Sequence, residues 1–315
     1  MKFSIVITTY NRLSFLKRAI DSALNQTVPC EVVVADDGST DGTEQYVCSL
    51  GDRVTYHRNF ENLGHAETMN AGVNRAKGEW IKPLDDDDYL APNCIAEMER
   101  AIAVHPEAVI CSCQAAQVNL QEEEISHTRS IGIGKTCYIP QADIHYGMLL
   151  ELLPFGTPAQ VAFRRDAFCQ TRGWDSQLDT NCDDIDSWIE IARFGDAMFL
   201  NQCLAYRTIW PDAYNAKIPL KTRLKTNIII KEKIYQYVSD RHRQDIPSLD
   251  SIRAYLHLHW SLVALKRRQI AQALQLFYPS CLSWVAWQLL VQAILARKGK
   301  KKSAVRFMPF EPEKV

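Results

Sequence analysis

The sequence predicts an α/β fold in which a mainly parallel central sheet is flanked by helices and followed by an α-helical C-terminal region. Three observations carry that expectation. Short apolar runs alternate with stretches of helical apolar spacing over residues 3–103, the pattern of βαβ units. Polar residues recur where the apolar runs end: Thr8-Thr9-Tyr10, Asp36-Asp37, and Asp85 to Asp88. Beyond residue 212 the apolar spacing is helical throughout.

The first run, Phe3 to Thr9, is nearly continuous in apolar and β-branched residues and suits a strand covered on both faces. Tyr10-Asn11 interrupts it, and Leu13, Leu16, Ile20 and Ala23 then share a helical face. Glu31 to Ala35 is a second strand ending in the turn Asp36-Asp37-Gly38-Ser39-Thr40-Asp41, where Asp41 and Glu44 are spaced to cap a helix. Val54 to His57 is a third strand, 64–76 a helix, Trp80 to Leu84 a fourth strand and 92–103 the next helix. Further on, Val109 to Ser112 reads as a strand, 119–137 as irregular or a hairpin, 143–153 as a helix and Thr157 to Arg165 as a strand. Gly173-Trp174-Asp175 opens a loop leading to Asp183-Asp184. A helix follows on which Ile185, Trp188, Ile189 and Ala192 share a face, and Ala197 to Leu200 and Leu204 to Arg207 read as two closing strands. The expected organisation is a catalytic domain over 1–212, with halves at about 1–105 and 106–212, and a helical region over 213–315.

Composition excludes several classes. The 315 residues are 47% apolar and 23% charged with a net charge of −1, so nucleic acid is not an expected partner. The ten cysteines are scattered and form no Cys-x-x-Cys pair. Met1-Lys2-Phe3 opens no leader-like pattern, so the expected location is cytoplasmic with reduced thiols. Neither the glycine-rich dinucleotide fingerprint nor a P-loop occurs, so any bound phosphate must be neutralised by other means.

The run Asp85-Asp86-Asp87-Asp88 offers those means. Four adjacent carboxylates repel one another, and a hard divalent cation shared with a phosphate relieves the repulsion. A solvated acidic loop is the alternative. The position at a strand's carboxyl end, where open α/β sheets bind ligands, favours a site.

Taken in order, Ser4 to Asn11, Val34 to Asp41, Gly78 to Ile81, Leu84 to Tyr89 and Asp183 to Asp186 resemble the family 2 glycosyltransferases with the A-type nucleotide-binding fold. The resemblance spans roughly residues 1–210. It implies a nucleotide-sugar donor, most often a UDP-sugar, lying across the carboxyl ends of the first strands, and a glycan or lipid-linked acceptor. Thr8 and Tyr10 match positions that hold and stack on the base. Asp37 matches the carboxylate that reads it, with Asp36 as neighbour. Asp85 and Asp87 fit the Asp-x-Asp motif for Mn²⁺ or Mg²⁺, with Asp87 the principal metal ligand and Asp86 or Asp85 nearer the ribose. Asp88 either belongs to this set or caps the next helix. Asn62 and Asn70 fall in the segment lining the donor pocket, although Met69 stands where relatives often carry arginine. Asp184 matches the catalytic base of an inverting transfer, with Asp183 beside it where relatives more often have glutamate. Trp174 is either an acceptor-stacking ring or core. Trp210-Pro211 stands where many relatives place a histidine, and His57 and His65 read as structural or surface residues.

At the C-terminus, Leu282 to Ala296 is apolar apart from Ser283, Gln288 and Gln292, and Arg297, Lys298 and Lys300 to Lys302 follow. The stretch is shorter than the roughly 20 residues a membrane span needs. It reads either as a helix packed on the body with a solvated basic tail or as a peripheral membrane contact through 282–302. Two other function classes stand beside the enzyme: a non-catalytic nucleotide-sugar-binding or scaffold protein, and a nucleotidyltransferase. The second lacks a basic phosphate-binding loop, since Arg12 and Lys17 read as helical.

Overall fold

The computed structural model describes residues 2–132, 134–153, 155–179, 182–210, 218–278, 280–297 and 308–310. The boundary expected near Pro211 and the basic run 298–302 lie outside them.

The N-terminal half follows the expected alternation. β1 (Phe3–Thr9), α1 (Leu13–Leu24), β2 (Glu31–Asp36), α2 (Thr43–Ser49), β3 (Thr55–Arg58), α3 (His65–Arg75) and β4 (Trp80–Asp85) succeed one another. β1 pairs in parallel with β2 on one side and β4 on the other, and β2 pairs in parallel with β3. All seven residues of β1 are buried because helices cover both faces, which explains its uninterrupted apolar run. Its register sets Thr9 level with Asp36 and Thr8 level with Asp85, so three polar strand ends meet at one edge.

The chain then turns through the acidic run into β5 (Tyr89–Leu90) and α4 (Cys94–Val104). The second half is mixed. β6 (Ala108–Val118) pairs antiparallel with β7 (Glu124–His127), so the polar stretch contains a hairpin. β8 (Thr136–Ile139) and α5 (Gln141–Leu149) follow. The run expected as one strand over 157–165 instead splits into a 3-10 turn at Pro158–Gln160, β9 (Val161–Arg164) and α6 (Arg165–Phe168). After α7 (Asp183–Ile191), the two expected closing strands are one, β10 (Asp196–Thr208), which pairs in parallel with β6 across bulges near Leu200 and Cys203. Those bulges break the apolar alternation and make one strand read as two.

α8 (Leu220–Tyr237), α9 (Leu249–Lys266), α10 (Ile270–Phe277) and α11 (Trp284–Arg297) form the helical C-terminal region. A short β11 (Met308–Phe310) pairs with β8. The described sheet runs β11-β8-β10-β6-β9-β4-β1-β2-β3. Its parallel character is concentrated in β4-β1-β2-β3 and in the β6-β10 pair, while β9 joins the two parts antiparallel to β4 and β6. One apolar cluster, including Leu16, Ile20 and Met98, covers one face of the sheet. A second, around Trp174 and Trp188, covers the other and takes in Ile230 and Ile234 of α8. A third joins α8, α9, α10 and α11 through Leu224, Leu256, Leu276 and Leu290.

Lys82 is the anomaly inside β4. It is fully buried, and its Nζ donates to the carbonyl oxygens of Pro83 at 3.1 Å, Pro158 at 3.0 Å and Ala159 at 2.6 Å. Burial lowers its pKa. The lysine fixes the 158–160 turn against the strand that leads into the acidic run.

Candidate active site

A cleft of about 800 Å³ opens at the carboxyl ends of β1, β2 and β4 and extends to the start of α7. This is the size and position expected of a small-molecule site in an α/β sheet. Thr8, Tyr10, Asp37, Asn62, Asp85, Asp86, Asp87, Asp183 and Asp184 all line it.

Its acidic floor explains the Asp-x-Asp spacing. Residues 85–88 form a turn closed by the Asp88 N–H donating to the Asp85 carbonyl at 3.1 Å. All four carboxylates line the cleft, but they differ in exposure. Asp86 and Asp88 are only 3% and 2% exposed. Asp86 accepts from Thr9 Oγ1 at 2.8 Å and from the Arg12 guanidinium at 3.0 Å, which joins the ends of β1 and β4. Asp88 accepts from the Thr208 N–H at 2.9 Å. Asp88 is not the cap of α4, whose N-cap is Asn93. The side chains of Asp85 and Asp87 are more open, at 30% and 16%. Asp87 Oδ2 accepts from the Trp210 indole at 2.9 Å, and Arg12 lies 3.7 Å away.

Oxygens of Asp85, Asp87 and Asp88 lie within 4.8 Å of one another. Burial, then the neighbouring Asp85 charge, raises Asp87. Burial, then Asp87, raises Asp88 well above the usual carboxylate range. Burial takes Asp86 up to about 7 against the pull of Arg12. A hard, all-oxygen donor set under this mutual repulsion fits Mg²⁺ or Mn²⁺.

The opposite wall begins at α7. Asp183 and Asp184 occupy its first turn, where the helix dipole favours negative charge. Asp184 Oδ1 accepts from the Ile185 N–H at 2.7 Å, and burial, followed by the Asp183 charge, pushes its carboxyl up to about 7.

His65 ties the two walls together. Its Nε2 lies 3.2 Å from Asp85 Oδ1 and its Nδ1 2.8 Å from Asp183 Oδ2. Burial lowers its pKa, but the two carboxylates outweigh burial and raise it well above the usual value. The same pairing lowers Asp85 despite its burial. His65 thus bridges two carboxylates; it is not the isolated structural or surface histidine that the sequence suggested. Asp179 also crosses between the halves. Its two oxygens accept from the N–H groups of His65 and Ala66 at 3.1 and 2.7 Å, capping α3. A Cβ at Gly64, where φ is +94°, would lie 2.3 Å from that carboxylate. Asp179, His65 and Asp183 are close enough to hold an ion, but the cap occupies both Asp179 oxygens, so Asp85 and Asp87 are the better candidates.

Three expected site residues lie elsewhere. Asp36 is fully buried behind the cleft. It accepts from the Ser39 N–H at 2.8 Å and the Tyr56 hydroxyl at 2.6 Å, bracing the 36–41 turn. Asn70 exchanges two hydrogen bonds with the Trp174 backbone, at 2.8 and 3.0 Å, and does not reach the cleft. Trp174 is 2% exposed and meets Trp188 and His65 edge-on, so it is core and not an open stacking surface. Asp37 does line the cleft, held by Asn59 and by the N–H groups of Leu63 and Gly64 at 2.9, 2.8 and 3.0 Å.

Several cleft residues were not legible in the sequence. Arg12 is the N-cap of α1, not part of the helix, and it lies over the Trp210 ring at 5.4 Å. Its position directly after a polar strand end was the available signal. Arg207 of β10, Trp210 just past it and Arg223 of α8 reach the cleft from far along the chain.

Comparison with known proteins agrees with this architecture. The signature described as glycosyl transferase family 2 matches residues 4–171, and the chain belongs to that family. It is 26% identical to chondroitin synthase of Pasteurella multocida over 91% of this chain, but over only 30% of that longer protein. Among solved structures, S. aureus TarS 1-349 in complex with UDP superposes with a TM-score of 0.59 at 18% identity, covering 99% of this chain and 97% of that one. A mannosyltransferase from Pyrobaculum calidifontis, in complex with GDP-Man and Mn²⁺, gives 0.56 at 19%, over 95% and 83%. At these identities the superpositions establish a shared fold. Among the described residues no helix is long and apolar enough to cross a membrane.

Proposed function

We propose that the chain is an inverting, divalent-metal-dependent glycosyltransferase that moves a sugar from a UDP-sugar to a hydroxyl of a glycan or lipid-linked acceptor. The observation that carries this reading is the convergence of Asp37, the Asp85–Asp87 pair and Asp184 on one cleft at the strand ends. Tyr10, 45% exposed at the rim, stacks on the base while Thr8 and Asp37 hold its edge. Asp85 and Asp87 would hold Mn²⁺ or Mg²⁺, which when bound neutralises charge on the departing nucleoside diphosphate.

Asp184 takes the proton of the acceptor hydroxyl as its oxygen attacks the anomeric carbon and the bond to the diphosphate breaks. A pKa near 7 suits a general base at neutral pH. One displacement inverts the anomeric centre. His65 positions Asp85 and Asp183, and through Asp183 the turn bearing Asp184. The similarity to a chondroitin synthase supports a place in surface polysaccharide assembly. A cytoplasmic location with peripheral membrane contact through 282–302 completes the proposal.

The test is a screen of UDP-sugars with Mn²⁺, reading release of UDP and then the anomeric configuration of the product by NMR. Inverted product from one donor supports the reading. Retained configuration, or pyrophosphate release from a nucleoside triphosphate, contradicts it.

A further inference from the structure

The C-terminal helices carry a surface that the catalytic cleft does not use. α10 and α11 both pack on α9, burying Ala273, Leu276, Ala286 and Leu290. Their remaining sides expose large apolar groups. Ile270, Leu274 and Tyr278 recur every fourth residue and are 55%, 63% and 83% exposed, while Leu282 is 96% and Trp284 73% exposed. Val291, Ile294 and Leu295 continue the exposure along α11. Single exposed apolar side chains are ordinary, but a group of this size marks an interaction surface.

The distribution of charge identifies the occupant. From Ile270 to Ala296 the chain has no Asp, Glu, Lys, Arg or His. Both borders of that stretch are cationic: exposed Lys266, Arg267 and Arg268 before it, and Arg297, Lys298, Lys300, Lys301 and Lys302 after it in the sequence. An uncharged apolar surface with borders of a single positive sign complements anionic headgroups above acyl chains. Tyr278 and Trp284 have the amphipathic rings that favour the membrane–water boundary. Neither helix is long enough to span, so the geometry is that of a helix pair lying on the surface.

We propose that the face formed by α10 and α11, with the exposed basic border at 266–268 beside it and the basic run 297–302 following in the sequence, seats this protein on an anionic lipid bilayer. The inference deepens the membrane contact of the proposed function by extending it to α10 and to the turn after α9.

The test is co-sedimentation of the full chain, without donor, with vesicles of phosphatidylcholine alone or with phosphatidylglycerol. Strong partition is expected only with the anionic vesicles, weakening about tenfold as salt is raised. The triple variant Leu274→Glu/Leu282→Glu/Trp284→Glu should bind at least about tenfold more weakly, with unchanged circular dichroism and UDP binding. The border variant Lys266→Glu/Arg268→Glu supplies a second, milder loss should the triple variant fold poorly. Native chain that ignores anionic vesicles, or variants that bind as well as native, would overturn the proposal. So would a native dimer that the triple variant dissolves without any vesicle binding, since the face then belongs to a second copy. UDP titration reads the donor site separately, so failure here leaves the catalytic reading untouched.

Discussion

The two walls of the cleft are built differently. The β1–β4 wall takes its groups from the ends of adjacent parallel strands, so Thr8, Asp37, Asp85 and Asp87 are set by sheet register. The α7 wall takes Asp183 and Asp184 from a helix start; Arg207, Trp210 and Arg223 reach the cleft from later in the chain, Trp210 on the side of Asp87. It is positioned by side chains that cross between walls: His65 to Asp183, Asp179 to the N-terminus of α3, and Asn70 to the Trp174 backbone. A strand-end site is stiff because the sheet is stiff. The helix-start wall depends on a few cross-links and should be the more easily perturbed.

The difference predicts a ranking of effects. Asp184→Asn should lower kcat by about 10²–10⁴-fold, measured in a UDP-release assay, while UDP binding stays within twofold of native. His65→Ala should lower kcat/KM by about 10–100-fold, because both walls lose their common partner; a loss arising only from a raised KM would limit His65 to the donor side. Lys82→Met removes the single ammonium shared by three carbonyls, and should cost roughly 3 kcal/mol in denaturant unfolding at unchanged m-value. The pH dependence follows from Asp184. Its carboxyl is raised to about 7 and acts ionised, so kcat/KM should fall tenfold per pH unit below that value and level off above it. A profile flat from pH 5 to 8 would remove Asp184 as the base. The smallest effect is expected of Trp210→Phe, which deletes the indole donor to Asp87 and should weaken metal-dependent UDP binding by about threefold.

The same contrast explains what was legible in the sequence. Parallel strands buried on both faces announce themselves as apolar runs, and the residue after each run is a strand end, so Thr8, Asp37 and the acidic run could be placed without coordinates. The acidic run could be placed at a strand end, but the closeness of the Asp88 oxygens to those of Asp85 and Asp87 comes from the turn and could not be read from spacing. His65 was not legible, because nothing local distinguishes a histidine at a helix start from one that bridges carboxylates 20 and 118 positions away. Asp36 and Trp174 lie off the cleft. Asp36 sits beside a cleft residue but faces the turn, and Trp174 sits in the right loop but points into the core. Lys82 shows the reverse case, a charge within an apolar run that turns out to be a buried clamp on the 158–160 turn.

The most direct single test is calorimetric titration of UDP into native chain, Asp87→Asn and Asp184→Asn, each with and without Mn²⁺. If one wall binds the donor and the other performs the transfer, native chain and Asp184→Asn will bind UDP alike and only with metal, and Asp87→Asn will lose that binding at least tenfold. Equal, metal-independent binding by all three, or loss of binding in Asp184→Asn alone, would contradict the division of labour between the walls.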